Sequence, residues 1–65
     1  MSKATAEALV LLEELVRAND HVTVKMVFGR PEVTVFRADG SHSHYNAPEL
    51  LGAVQRAARG EGLKE

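Results

Sequence analysis

Apolar and polar residues alternate with two different periods in this chain, and the change of period divides it into segments. Between about residues 3 and 18 the apolar side chains recur with the helical period, and charged side chains occupy the opposite side of a helical wheel. From Val22 to Phe28 the apolar residues follow a period of two, which is typical of a strand with one buried face. The chain therefore predicts a helix and then a strand over about residues 21–28. The apolar side of the helix holds Ala4, Ala8, Leu11, Leu12, Leu15 and Val16.

The residues after this strand predict an antiparallel hairpin. Residues 29–32 read Gly-Arg-Pro-Glu, which is turn chemistry, and a β-branched run then predicts a second strand over about residues 33–38. A four-residue loop would pair Phe28 with Val33. The apolar residues of both strands then share one face, which two helices can cover.

The opposite face of this hairpin carries Val27, Thr34 and Phe36 and has no partner within the chain. Small monomers rarely expose grouped apolar side chains, so these three residues are the predicted interface with another protein surface. In the alternative assembly, two copies pair their exposed strand edges into one continuous sheet with helices on one side.

The segment of residues 41–45 permits two interpretations. The preceding Asp39-Gly40 dipeptide is a strong hairpin signal, which favours a third strand. Ser-His-Ser-His is a weak strand former, which favours an irregular loop. As a strand, the segment would place His42 beside Arg37.

In that same register His44 lies beside Val35, and Tyr45 falls on the same face as Phe36. The third strand would then add one aromatic ring to the predicted interface and turn both histidines to the other face.

A second amphipathic helix is predicted over about residues 47–59, with Gly60 at its end and a frayed tail over residues 60–65. The whole chain is therefore predicted to be a single α+β domain over residues 1–65. Its plan is α-β-β-(β)-α, a two- or three-stranded antiparallel meander packed by an N-terminal and a C-terminal helix.

The chain's length of 65 residues limits the core that it can build. A domain of this size buries only about 60% of the surface that its unfolded chain exposes, and no cysteine is present to supply a disulfide. We therefore expect a homodimer or higher homo-oligomer. The N-terminal residues lack the order of a signal peptide, and no apolar run is long enough to span a membrane, so a cytoplasmic protein without membrane association is expected.

Charge narrows the choice of ligand. Eight Lys and Arg residues against nine Asp and Glu residues give a net charge of -1, with the signs mixed along the chain, and this balance argues against nucleic acid. No cofactor motif, catalytic set or specific metal motif is present. The sequence predicts a non-catalytic binding or regulatory module that engages a protein or a small anionic ligand, with free N–H groups at the start of the second helix attracting the anion. The predicted contact residues are Arg37, His42, His44, Tyr45 and Asn46.

Two other functions remain open from the residues. In a strand, His42 and His44 point the same way, and with Asp39 or a residue of a second chain they could hold a divalent metal ion. Alternatively, one histidine could act as a general acid or base beside Arg37, which would stabilise a phosphate-like charge.

A family resemblance also implies the second of these functions, in which a histidine acts as a general acid or base. The segment Gly40-Ser41-His42-Ser43-His44-Tyr45, together with the element order, resembles the Gly-Ser-His segment of HicA-type toxins, small ribonucleases with a double-stranded-RNA-binding-like fold. The resemblance implies an RNA-directed protein with His42 as its catalytic residue. This chain departs from that family in two ways, because two strands precede the motif and the basic surface of the family is missing. RNA-binding domains with this element order carry basic residues near the start of the last helix, where this chain has Glu49.

Overall fold

A computed structural model describes residues 2–63 and contains a helix, three antiparallel strands and a second helix. This architecture confirms the predicted α+β plan, and it makes the segment after Asp39-Gly40 a strand and not a loop. Strand β2 lies between β1 and β3 in the sheet. The elements are α1 (Lys3–Ala18), β1 (His21–Val27), β2 (Arg30–Phe36), β3 (His42–Asn46) and α2 (Leu50–Gly60).

The β1–β2 connection is a two-residue turn and not the expected four-residue loop. Phe28 and Gly29 both have positive φ, 51° and 75°, which is the backbone of a tight hairpin turn that matches strand twist. Val33 therefore pairs with Val24 and not with Phe28. Since the two registers differ by an even number of residues, the predicted faces of β1 and β2 are unchanged.

Pro31 made residues 29–32 look like a loop, yet it lies inside β2 opposite Met26. A proline cannot donate to a strand ladder, and it is tolerated here because the pairing of β2 with β3 begins only at Glu32.

The register of β3 differs from the prediction by one residue, which reverses its faces. Phe36 pairs with His42, and Val33 pairs with Tyr45. His42 and His44 therefore lie on the face of Phe36, whereas Tyr45 lies on the helix-covered face. The physical cause is burial, since this register alone turns the large Tyr45 side chain toward the helices and leaves the polar histidines in solvent.

The two helices cover the sheet unequally. Helix α2 packs on β2 and β3, and α1 packs mainly on α2 with only slight contact to β1. The buried apolar side chains come from both helices, from Val33 and Val35 of the central strand and from Ala47, which lies between β3 and α2. Half of them are alanines, so α2 approaches the sheet closely but the core is small. The buried apolar set is Ala8, Leu11, Leu15, Val33, Val35, Ala47, Ala53, Val54, Ala57 and Ala58.

The buried stripe of α1 is narrower than the helical wheel indicated. Val16 is 47% exposed and Ala4 is also exposed, although both were expected to face the core. Because α1 rests on α2, only one edge of its apolar side meets another element. Its N-terminus is capped by Ser2, whose Oγ accepts from the Thr5 N–H at 3.1 Å.

Helix α2 begins three residues later and ends one residue later than the predicted range of 47–59, and the glycine that follows its C-cap is Gly62. Gly62 has a φ of 77°, its N–H donates to the Arg59 carbonyl, and the Leu63 N–H donates to the Ala58 carbonyl. This bond pair is a Schellman motif, with Leu63 packed against the core. Residues 60–63 of the predicted frayed tail are therefore ordered, and Lys64 and Glu65 lie outside the described residues.

Gly60, which was expected to end the helix, instead provides space for Tyr45. A Cβ at position 60 would lie 2.5 Å from Cε1 and from Oη of Tyr45, so only glycine permits the ring to lie against this turn of α2. The last turn of α2 and the middle of β3 are thereby held together.

We predict that Gly60→Ala destabilises the protein, although alanine is the better helix former. The added methyl displaces the Tyr45 ring, and overpacking of this kind costs about 1–3 kcal/mol, against a gain of about 1 kcal/mol in helix propensity. Urea unfolding gives the free energy of unfolding. In a Tyr45→Ala background there is no ring to displace, so Gly60→Ala should leave the free energy of unfolding unchanged or raise it. An equal decrease in both backgrounds would show that the methyl group does not act through the Tyr45 ring.

Candidate functional site

The five predicted contact residues do not form one site. Arg37 and Tyr45 lie on the helix side of the sheet and contact Glu61, whereas His42 and His44 lie on the open side. Asn46 is exposed at the end of β3. The sequence thus identified a segment whose side chains the sheet divides between two faces.

Arg37 is bound to the C-terminal end of α2. Its Nε donates to Oε1 of Glu61 at 2.9 Å and its Nη2 donates to Oε2 at 2.6 Å, which is the paired geometry of a strong guanidinium–carboxylate contact. Tyr45 donates from its hydroxyl to the same Oε2 at 2.7 Å. Nη2 of Arg37 also donates to Ser43 Oγ at 2.6 Å. The Glu61 side chain is only 7% exposed, so this cluster has a structural role, and Glu61 balances the charge of Arg37.

The contacts within this cluster determine the protonation states of Arg37, Tyr45 and Glu61. The hydrogen bonds from Arg37 hold the pKa of Glu61 below its ordinary value, and the bond to Glu61 raises the pKa of Arg37. Burial, followed by the bond to Glu61, raises the pKa of Tyr45. Arg37 is therefore a cation, Glu61 an anion and Tyr45 a neutral donor at neutral pH.

A separate contact orders the turn between β2 and β3. Oδ1 of Asp39 accepts from the Ser41 N–H at 2.9 Å and from the Ser41 hydroxyl at 2.6 Å. These bonds lower the pKa of Asp39. The carboxylate is used by its own turn, with Gly40 at a φ of 92° beside it.

The open face of the sheet carries a row of rings across all three strands. His21 of β1 stacks on Phe36 of β2 with ring centroids 4.3 Å apart, and His42 of β3 stacks on the other side at 5.7 Å. His44 meets His42 edge to face at 5.1 Å. Because the rings stack on one another, they direct their edges and not their faces toward solvent.

The histidines of this row have few polar partners. Nδ1 of His44 is 2.8 Å from Oγ1 of Thr34, and Nδ1 of His21 is 2.8 Å from Oδ2 of Asp20. Glu32 is 3.8 Å from His44 and also 3.8 Å from Lys25. Within residues 2–63 no group of three or more histidine and acidic side chains is placed to hold a metal ion.

The three predicted interface residues are covered to different degrees. Val27 and Phe36 are half-buried, and Thr34 is 2% exposed because its neighbours on the open face cover it. Most of the exposed apolar surface lies elsewhere, on the helix side of β1, at the β1–β2 turn and on α1.

A polar groove of about 570 Å³ lies between β3 and α2. Three of the predicted contact residues line it, together with two arginines that are three residues apart on α2 and therefore on one side of that helix. None of the lining residues is acidic, although Glu61 accepts from Tyr45 and Glu32 lies 3.8 Å from His44. Its lining residues are His44, Tyr45, Asn46, Arg56 and Arg59.

Sequence reasoning missed Glu61 and the role of the two arginines. Glu61 lies 24 residues from Arg37, and no local pattern relates the two. Arg56 and Arg59 were interpreted as the solvated side of α2, and only the packing angle of α2 brings them beside β3. The anion was expected at the start of α2, whereas the cations of the groove lie in its C-terminal half.

Comparisons with protein-family models, curated proteins and solved structures give no match to this chain. In the described part of the chain no helix is long and apolar enough to cross a membrane.

We predict that Glu61→Gln lowers the thermal midpoint by roughly 5–10 °C at pH 7, because the charged partner of Arg37 is lost. The folded pKa of Glu61 is below its unfolded value, so its stabilisation is complete above about pH 4.3 and decreases as the pH falls through the folded pKa. Calorimetry from pH 7 to pH 2 should show the two midpoints converging. Glu14→Gln, at an exposed position on α1, is the matched control and should follow the wild type. A constant difference at all pH values would contradict this assignment.

Proposed function

We propose that this protein is a small non-catalytic binding module that acts as a homo-oligomer and holds an anionic ligand in the groove between β3 and α2. The observation that carries the proposal is the placement of Arg56 and Arg59 beside His44 and Asn46 without an acidic residue in the lining. Since the chain has no cysteine, a reducing compartment suits it, and we place it in the cytoplasm.

The chemistry of the groove favours a ligand with phosphate or carboxylate groups. Guanidinium groups donate two parallel hydrogen bonds to such anions, and both arginines are solvent-exposed. The side-chain amide of Asn46 adds a neutral donor on the strand side. A volume of about 570 Å³ suits a small molecule or the side chains of a short acidic segment.

The binding set is therefore revised from the sequence prediction. His44, Tyr45 and Asn46 remain in it, and Arg56 and Arg59 replace Arg37 as the cations. Arg37 already satisfies Glu61, and diverting it to a ligand would leave a largely buried carboxylate without its partner. Tyr45 forms one wall of the groove, held by its bond to Glu61.

The homo-oligomer part of the proposal rests on the size of the core. Five of the ten buried apolar residues are alanines, so the apolar area removed from water per residue is low. A second copy of the chain would supply the missing burial.

We predict that inorganic pyrophosphate causes saturable amide shifts at Asn46, Arg56 and Arg59 in an NMR titration, because it presents several anionic oxygens to two guanidinium groups. The double variant Arg56→Gln/Arg59→Gln should weaken binding about a hundredfold or more, because two charge-assisted bonds of about 1.5 kcal/mol each are lost.

The matched control is Arg17→Gln/Arg30→Gln, which removes the same charge from exposed positions outside the groove. It should bind pyrophosphate like the wild type at physiological salt. Equal weakening by both double variants, or the absence of saturable shifts in the wild type, would refute the proposed site.

A further inference from the structure

The described chain leaves more large apolar side chains exposed than it buries. Five leucine and valine side chains are buried, Leu11, Leu15, Val33, Val35 and Val54, whereas six large apolar side chains are exposed. Scattered exposed apolar residues are common, but three of these follow one another at alternate positions of a single hairpin. The exposed set is Leu9, Val10, Val16, Val24, Met26 and Phe28.

Phe28 has both an unfavourable backbone and an unfavourable environment. Its side chain is 100% exposed, and its φ of 51° lies in the left-handed region that bulky residues avoid. Asn, Asp or Gly would suit the first position of this turn better. A residue that violates two local rules at once is expected where function requires it.

Strand β1 is an edge strand with little protection. It forms one side of the sheet and pairs only with β2, and its seven residues contain no proline and no glycine. Lys25 is its only Lys, Arg, Asp or Glu residue, and it lies on the open face. Exposed edges of this kind pair with another strand unless charges, bulges or prolines prevent it.

We propose that β1 pairs antiparallel with β1 of a second copy about a two-fold axis at Val24, which joins the two sheets into one of six strands. Val24 is the midpoint of β1, and in this register Val22 lies opposite the second copy's Met26. Lys25 lies opposite the second copy's Thr23, so no like charges meet. Apolar residues thus meet apolar residues on the helix side of the joined sheet.

The same register gives Phe28 a place to bind. Its ring extends beyond the end of β1, beside the chain that leads from α1 to β1 in the second copy. The half-exposed Val16 lies in the last turns of that helix. Each Phe28 would therefore contact the α1 end of the other copy, which would give this strained turn residue a role in the interface.

A second copy fits this surface better than an unrelated protein does. The exposed row on β1 is complementary to itself under two-fold rotation, which is the requirement of an isologous interface. A net charge of -1 gives little repulsion between copies. A core that is half alanine needs the additional burial permanently, and an identical chain is always present in equal amount.

This inference specifies the contact of the proposed homo-oligomer and rests on that part of the proposed function alone. The groove lies beside β3, at the opposite edge of the sheet from β1, so the dimer leaves it open. A monomeric wild type that still shows the pyrophosphate shifts would overturn only the interface, and a wild-type dimer without these shifts would overturn only the groove.

The first test is sedimentation equilibrium of the wild type, Met26→Glu and Phe28→Asn. Both side chains are exposed, so neither substitution disturbs the described core, and Asn also suits the positive φ of the turn. We expect a wild-type dimer and at least about tenfold weaker association of each variant. Val10→Glu, at an exposed position on α1 outside the proposed contact, should remain a dimer. A monomeric wild type, or variants that associate as tightly as the wild type, would overturn the proposal.

The second test uses the absence of cysteine from the chain. Val24→Cys places a single thiol at the proposed two-fold axis, and mild oxidation should give a covalent dimer. Phe36→Cys, on the open face, should remain uncoupled under the same conditions. Coupling through position 36 and not through position 24 would assign the contact to the open face and refute the pairing of β1 edges.

Discussion

The packing of α2 across β2 and β3 is the contact on which the rest of this structure depends. Its small side chains, Ala53, Ala57 and Ala58, allow the helix to lie close to Val33 and Val35. Its C-terminal end is fastened by Glu61, which accepts hydrogen bonds from Arg37 and Tyr45. Burial of these side chains positions the helix, and the hydrogen bonds of Arg37 and Tyr45 to the Glu61 carboxylate fix the position of its C-terminal end.

This placement of α2 makes the two edges of the sheet different. At the β3 edge, α2 brings Arg56 and Arg59 beside the strand and forms a polar groove. At the β1 edge no helix of residues 2–63 takes an equivalent place, because α1 rests mainly on α2 and leaves Val24 and Met26 exposed. The polar edge is the proposed site of an anion, and the apolar edge is the proposed contact with a second chain. The row of rings on the open face lies between these two edges.

The predicted registers of the β1–β2 and β2–β3 pairs were both wrong, and the two errors have different causes. At Gly29-Arg30-Pro31-Glu32, turn-forming residues concealed the start of a strand, since the turn itself uses Phe28, a residue without turn preference. That error changed no face. The one-residue error in β3 reversed every side chain, because Ser-His-Ser-His offers no apolar alternation to define a register. Arg37 was placed in one binding site with His42, whereas the structure puts the two on opposite faces and pairs Arg37 with Glu61.

The order of helices and strands, their approximate lengths and the faces of α1, β1 and β2 could be deduced from the chain, because each depends on residues close together in sequence. Three features required the folded structure: the coverage of β1, the partner of Arg37 and the groove beside β3. Each depends on the angle at which α2 crosses the sheet, which follows from the packing of alanines against two strands and from an ion pair between residues 24 positions apart. No local pattern encodes that angle, since it is a property of surfaces that meet only after the chain has folded.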